Sequence, residues 1–128
     1  MPKPDLILLA MDQSPTLDLF ERALRAAGYD LAIAKNLSAL DKALQETVPN
    51  LLVISEKLGD KGGLDQASMV LNRFPTIPVI LYAVNHDPGL VLQCLRAGLS
   101  DCIFPPLKID EIVRAIQHSQ KHAVQVGD

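Results

Sequence analysis

Five short runs of leucine, isoleucine and valine recur along the chain, and the longer stretches between them carry apolar residues at helical spacing. No other feature restricts the fold so tightly. The runs predict strands at Leu6 to Met11, Leu31 to Ala34, Leu51 to Ile54, Val79 to Tyr82 and Cys102 to Phe104. The first, third and fourth are apolar throughout, as strands are inside a parallel sheet covered on both faces. Strict alternation of strand and helix builds a doubly wound open α/β sheet, because right-handed crossovers place helices on both faces and a closed barrel needs eight units. The expected strand order is 2-1-3-4-5. Such sheets carry their function beyond the C-terminal ends of the strands, near the switch point between strands one and three. Here those positions are Asp12, Gln13, Ser55, Ala83 and Pro105.

Capping residues punctuate the helices. Ser14-Pro15 reads as an N-cap followed by proline at the first helical position, and Gly28 stops the pattern of Leu17, Phe20, Leu24 and Ala27. Ser38 is expected to cap a second helix with Leu40, Ala43 and Leu44 inward, and Pro49 closes the connection after it. A third helix is expected from about Leu64 to Phe74. Asp87-Pro88 opens a fourth, which ends at Gly98 with Leu90, Cys94 and Ala97 on its inner face, and a fifth runs from Asp110 to about His122 with Ile112, Val113 and Ile116 buried. Residues 1–122 then make one domain. Residues 123–128 read as a polar tail that can begin a linker to a further domain.

Composition removes several functions. At 128 residues, 48% hydrophobic and 21% charged, the chain has material for one ordinary core. A net charge of −3 provides no basic excess for a phosphate backbone, and without tryptophan, with two tyrosines and three phenylalanines, stacking platforms for single-stranded nucleic acid are missing. Nucleic acid is not an expected partner. The apolar runs fall far short of the roughly 20 residues of a membrane helix. No membrane span is expected, and the N-terminus has no signal-peptide pattern, so a cytoplasmic protein is expected.

Candidate chemistry is thin. Cys94 and Cys102 lack zinc spacing and read as small buried hydrophobes. His118 and His122 are spaced compatibly with a metal but have no third ligand nearby, which favours a solvated helix end. His86 can bind an anion when protonated or stand as an exposed loop histidine. The glycine-rich stretch 59–63 follows strand three and lacks a nucleotide-binding pattern, so it reads as a turn needing positive φ. The loop after strand one holds a carboxylate and a proline where a flavin site needs small hydroxyl residues and glycine. Cobalamin's DxHxxG motif is missing, and no Ser-His-Asp or Cys-His arrangement is evident. An enzyme is therefore the weaker class, and no cofactor is expected.

From Leu6 to about Gln117 the chain resembles the receiver domain of bacterial response regulators, which have a flavodoxin-like fold. Leu8-Leu9-Ala10-Met11-Asp12-Gln13-Ser14-Pro15 resembles the first strand and its acidic turn, and Arg25-Ala26-Ala27-Gly28-Tyr29 the end of helix one. Pro49-Asn50-Leu51-Leu52-Val53-Ile54-Ser55 is similar to the strand that ends in the phosphoacceptor aspartate, and Gly62-Gly63-Leu64 to the turn into helix three. Ile77-Pro78-Val79-Ile80-Leu81-Tyr82 looks like strand four and Arg96-Ala97-Gly98-Leu99-Ser100-Asp101 like the turn before strand five. Phe104-Pro105-Pro106-Leu107 stands where the family has its Lys-Pro turn, so a cis peptide before the second proline is expected.

The resemblance implies a two-component phosphorelay module whose phosphoryl chemistry has been altered. Receivers hold Mg²⁺ on an acidic pair and the acceptor aspartate, and bind the phosphoryl oxygens with Thr or Ser and a Lys. Matched residue by residue, the acidic pair is Asp12 and Gln13, the acceptor is Ser55, the Thr/Ser position is Ala83 and the Lys position is Pro105. Cys102 replaces the aromatic switch residue of strand five. These departures imply a degenerate pseudo-receiver that signals by protein contact, to a separate partner, a fused domain or a second copy. The implied face is helix four, strand five and helix five, drawing on Leu92, Arg96, Leu107, Lys108, Glu111 and Arg114. Two alternatives stay open: a small-molecule or anion switch in the pocket of Asp12, Ser55, Ala83 and His86, or a regulatory module of a larger histidine kinase. Asp12 either retains weak Mg²⁺ binding or serves as a polar group at the N-terminus of helix one.

Overall fold

The computed structural model describes residues 4–58 and 62–126, with side chains as far as Gln120. In chain order the elements are β1 (Leu6–Ala10), α1 (Pro15–Ala26), β2 (Asp30–Ala34), α2 (Leu37–Glu46) and β3 (Leu51–Ser55). They continue with α3 (Gly63–Arg73), β4 (Val79–Tyr82), α4 (Pro88–Ala97), β5 (Asp101–Ile103) and α5 (Ile109–Val126). All strand pairs are parallel and the order is β2-β1-β3-β4-β5, as the alternation predicts.

The two-residue period of the strands divides the core into two layers. Ile7 and Leu9 of β1, Leu51 and Val53 of β3 and Ile80 and Tyr82 of β4 face one side, against Leu17, Phe20 and Leu24 of α1 and Ile112 and Ile116 of α5. Leu8, Leu52, Ile54, Val79 and Leu81 face the other side, against Leu40 and Leu44 of α2, Ala67 and Val70 of α3 and Cys94 of α4. Phe20 meets Tyr82 edge-on, with ring centroids 5.9 Å apart.

The capping signals hold where a proline follows them. The Ser14 hydroxyl accepts from the Leu17 N–H at 3.2 Å, and the Asp87 carboxylate accepts from the Gly89 N–H at 2.9 Å. At α2 the expectation needs correcting, because the cap is Asn36 and not Ser38. The Asn36 side chain accepts from the Ala39 N–H at 2.8 Å, and the helix begins at Leu37, which puts Ser38 inside its first turn. Ala27 is likewise the exposed C-cap of α1 and not part of its buried face.

The other corrections concern element ends. β5 is Asp101–Ile103, one residue earlier than expected, and β1 stops at Ala10 although the Met11 N–H still donates to the Ala34 carbonyl at 3.1 Å. α5 continues through 123–126, where polarity alone suggests a tail, and no glycine or proline interrupts it. His122 and its spacing to His118 lie outside the described side chains. Near its end α5 is fixed to the rest of the molecule by Gln120, which accepts from the Tyr29 hydroxyl at 3.0 Å and donates to the Asp5 carboxylate.

Ser119 faces this packed side of α5 at 0% exposure, and among the described residues its hydroxyl has no hydrogen-bond partner. A buried donor left unpaired is costly. Ser119→Ala is therefore expected to raise stability by about 1 kcal/mol in urea denaturation; a loss would show that the hydroxyl is satisfied in solution.

Candidate functional site

Parallel strands end at one edge, so the sheet gathers the sequence's candidates there. In the register Ala10 pairs with Ile54, Ser55 with Tyr82 and Tyr82 with Ile103. The loops beyond are tied together by main-chain bonds from the Glu56 N–H to the Tyr82 carbonyl at 2.8 Å and from the Ala83 N–H to the Ile103 carbonyl at 3.0 Å.

At this edge the polar groups are largely committed to local structure. Asp12 and Gln13 are exposed, and the Gln13 amide donates to the Asp18 carboxylate of α1 at 3.1 Å. It is Ser14, and not Asp12, that caps α1. Ser55 ends β3 and is buried; its hydroxyl accepts from the Lys57 N–H at 3.3 Å, closing a turn over the strand end. Ala83 is buried with a methyl group only. Pro105 is exposed and joined to Pro106 by the expected cis bond, so neither residue offers an N–H. His86 is exposed and packs its ring on Phe104, with centroids 4.4 Å apart. Among the described residues no group of three or more His, Cys, Asp or Glu side chains is gathered for a metal.

A cavity of about 290 Å³ lies beside this edge, between the loops after β3 and β4 and the flank of α4. Glu56, Lys57, Ala83, Asn85, Asp87 and Gln93 line it. Of the four residues expected around a pocket, Ala83 borders this cavity, while Asp12, Ser55 and His86 do not. Two loops and a helix side build it, which no sequence spacing announces.

The residues of the expected interaction face divide. Leu92 and Arg96 are exposed on α4, and Lys108, Glu111 and Arg114 are exposed at the start of α5. Arg114 pairs with Asp110 at 2.7 Å across one helical turn, a surface pair of small energetic weight. Leu107 is half-buried and packs on the layer under α1 and α5, so it contributes to the core rather than to the face. Leu95, at 62% exposure, was missed; it lies three residues after Leu92, on the side opposite Leu90, Cys94 and Ala97.

Cys102 is half-buried in β5 and packs into the core layer that holds Cys94 of α4. Burial first, and then the Cys94 thiol beside it, push the Cys102 pKa up to about 12.

A family model of the response regulator receiver domain matches residues 7–117. The chain belongs to that family. The alginate biosynthesis transcriptional regulatory protein AlgB of Pseudomonas syringae pv. tomato is 26% identical over 106 residues, which cover 83% of this chain and 24% of AlgB. The probable transcriptional regulatory protein TcrX of Mycobacterium tuberculosis is 26% identical over 111 residues, 87% of this chain and 47% of TcrX. The chain thus spans less than half the length of either regulator. A CheY-like receiver domain protein from Methanospirillum hungatei has the same fold, with a TM-score of 0.86 at 20% identity over 95% of this chain and 98% of that one. NtrX from Brucella abortus matches with a TM-score of 0.88 at 20% identity, over 95% of this chain and 28% of NtrX. No helix among the described residues is long and apolar enough to cross a membrane.

Within the receiver frame, Gly62 and Gly63 seat α3 on the end of β3. Gly62 has a φ of 73°, the positive value expected of this turn, whereas residues 59–61 lie outside the described residues. Gly63 is required for a different reason. A Cβ there would stand 2.1 Å from the Ser55 carbonyl oxygen and 2.7 Å from the Glu56 Cα, both of them backbone atoms that cannot swing aside. Gly63→Ala is expected to cost about 3 kcal/mol in urea denaturation, at the upper end of overpacking penalties; a loss under about 0.5 kcal/mol, the range of neutral surface changes, would mean that the α3 junction yields.

Proposed function

We propose that this receiver domain signals without taking a phosphoryl group, by protein contact through the face of α4, β5 and α5. The observation that carries the reading is Ser55, a hydroxyl residue at the acceptor position whose oxygen already accepts the Lys57 N–H. A serine hydroxyl needs a base to become a nucleophile. The loose transition state of phosphoryl transfer spreads negative charge that cations and donors must meet. At the corresponding positions this chain has Ala83, without a side-chain donor, and Pro105, without charge or N–H.

The donor set does not fit Mg²⁺. That ion demands an octahedron of hard oxygens, and of the positions matched to the family's ligands only Asp12 has a carboxylate, beside an amide bonded to Asp18 and a hydroxyl bonded to the Lys57 N–H. Regulation then comes from the concentration of the partner or from a fused domain, since a domain with no differential ligand has nothing to shift its conformers. The shared part of AlgB, 24% of its length, supports a fused domain, and the exposed Leu92 and Leu95 support a protein or a second copy on α4.

Incubation with radiolabelled acetyl phosphate and Mg²⁺ is expected to leave the chain unlabelled. Ser55→Asp alone is expected to remain unlabelled too, because Gln13 and Pro105 still withhold the second carboxylate and the lysine. Stoichiometric labelling of either protein would overturn the proposal.

The cavity beside Ala83 favours one second reading, a small-molecule switch. Two carboxylates, Glu56 and Asp87, face one cation, Lys57, together with the amides of Asn85 and Gln93. That balance suits a neutral or zwitterionic polar molecule better than an anion. Thermal unfolding across a panel of amino acids and amides is expected to find a ligand that raises the Tm in a saturable way; a flat panel would end this reading.

A further inference from the structure

The chain's two cysteines stand eight positions apart, one on each side of the turn between α4 and β5. Cys94 is the one fully buried residue of α4, at 1% exposure, and its carbonyl accepts from the Leu99 N–H at 3.0 Å where the chain turns. Cys102 is the middle residue of β5, in register with Leu81 of β4 and facing the same core layer as Cys94. Both side chains pack into one core layer where α4 lies against β5, near enough for the Cys94 thiol to raise the Cys102 pKa. Cys94 is sealed, while Cys102 keeps part of its surface in contact with solvent.

We propose that Cys94 and Cys102 form an oxidation site, at which hydrogen peroxide converts the two thiols into a disulfide that ties α4 to β5. The accessible Cys102 reacts first. Its thiolate attacks one peroxide oxygen, the O–O bond breaks, and sulfenic acid forms as hydroxide leaves. The neighbouring Cys94 sulfur then attacks the Cys102 sulfur; the S–O bond breaks and water leaves with the Cys94 proton. Two thiols are oxidised by two electrons, and the peroxide is reduced to two waters. Because both side chains pack into one core layer, the second step is intramolecular and outruns further oxidation of the sulfenic acid.

The surroundings set the pace of the first step. Burial, the neighbouring Cys94 thiol and the charges of Asp101 and Glu56 all oppose a thiolate at Cys102. The site therefore answers to sustained oxidant, and faster as the pH rises. Its consequence lies in α4, whose other inward residues, Leu90, Val91 and Ala97, are only partly buried. A covalent tie adds a second fixed point to a helix with one buried anchor. The inference does not depend on whether the domain takes a phosphoryl group.

The folded chain is to be treated with hydrogen peroxide and followed by mass spectrometry, non-reducing gels and thiol titration in denaturant. The expected product is a monomer that has lost two hydrogens and both titratable thiols and is restored by dithiothreitol. Its rate should rise about tenfold per pH unit near neutrality, following the thiolate fraction. Amide hydrogen exchange in α4 should slow in the oxidised form. Cys94→Ser should leave Cys102 as a sulfenic acid that dimedone traps, without the internal crosslink. Sulfinic acid at Cys102 without the crosslink, disulfide-linked dimers as the main product, or thiols that survive in the folded chain under conditions that oxidise the urea-unfolded one would each overturn the proposal.

Discussion

Leu51 to Ser55 have no face turned to water. Leu51 and Val53 point into the layer under α1 and α5, Leu52 and Ile54 into the layer under α2, α3 and α4, and β1 and β4 cover the strand's two edges. A strand enclosed on every side cannot carry exposed polar chemistry along its length, because each buried polar group needs a partner. It can present a functional group only where it leaves the sheet. Because its neighbours run parallel, they leave the sheet at the same edge, and Asp12, Ser55, Ala83 and Pro105 collect there as a consequence of burial.

At that edge the turns use the polar groups that a reaction would need. Gln13 holds Asp18, Ser14 holds the Leu17 N–H, Ser55 holds the Lys57 N–H and Asp87 holds the Gly89 N–H. Each of these bonds satisfies a helix start or a tight turn that the strand end requires. A side chain committed in this way has less freedom to ligate an ion or present a nucleophile. The scaffold of the receiver family is therefore separable from its chemistry: the strands, caps and glycine junctions fix the backbone, and the groups at the strand ends are free to differ.

Much of this was legible in the sequence for local reasons. β1, β3 and β4 are legible because burial on both faces leaves a continuous hydrophobic run, and the strand order follows from the alternation of strand and helix. Caps were read correctly where a proline pins the first helical residue, as after Ser14 and Asp87. At α2 two residues with good capping side chains, Asn36 and Ser38, stand two positions apart with no proline to decide between them, and the earlier one prevails. The five positions at the strand ends followed from topology. The cavity beside α4 did not, because it brings the loop after β3 against the loop after β4 and the helix that follows, some 26 residues further along the chain. Leu107 looked like a surface residue beside Lys108, yet the turn after Pro106 directs it into the core layer. Cys94 and Cys102 were each read as buried small residues, whereas their packing into one layer depends on how α4 lies over β5.

The seating of α4 also gives a reason for the proposed partner contact and the proposed disulfide to fall in one region. Helices are held in such a sheet chiefly by their buried apolar stripe. α1 buries Leu17, Phe20, Ala23 and Leu24, whereas α4 buries Cys94 and turns Leu92 and Leu95 outward. The least anchored element opens at the lowest free energy, and its position is the easiest to bias. A protein that covers Leu92 and Leu95 would hold α4 from outside, and a bond from Cys94 to Cys102 would hold it from inside. Neither needs a phosphoryl group, because both act on the balance that keeps α4 in place. If the domain takes no phosphoryl group, as proposed, α4 is still an element whose position can be set.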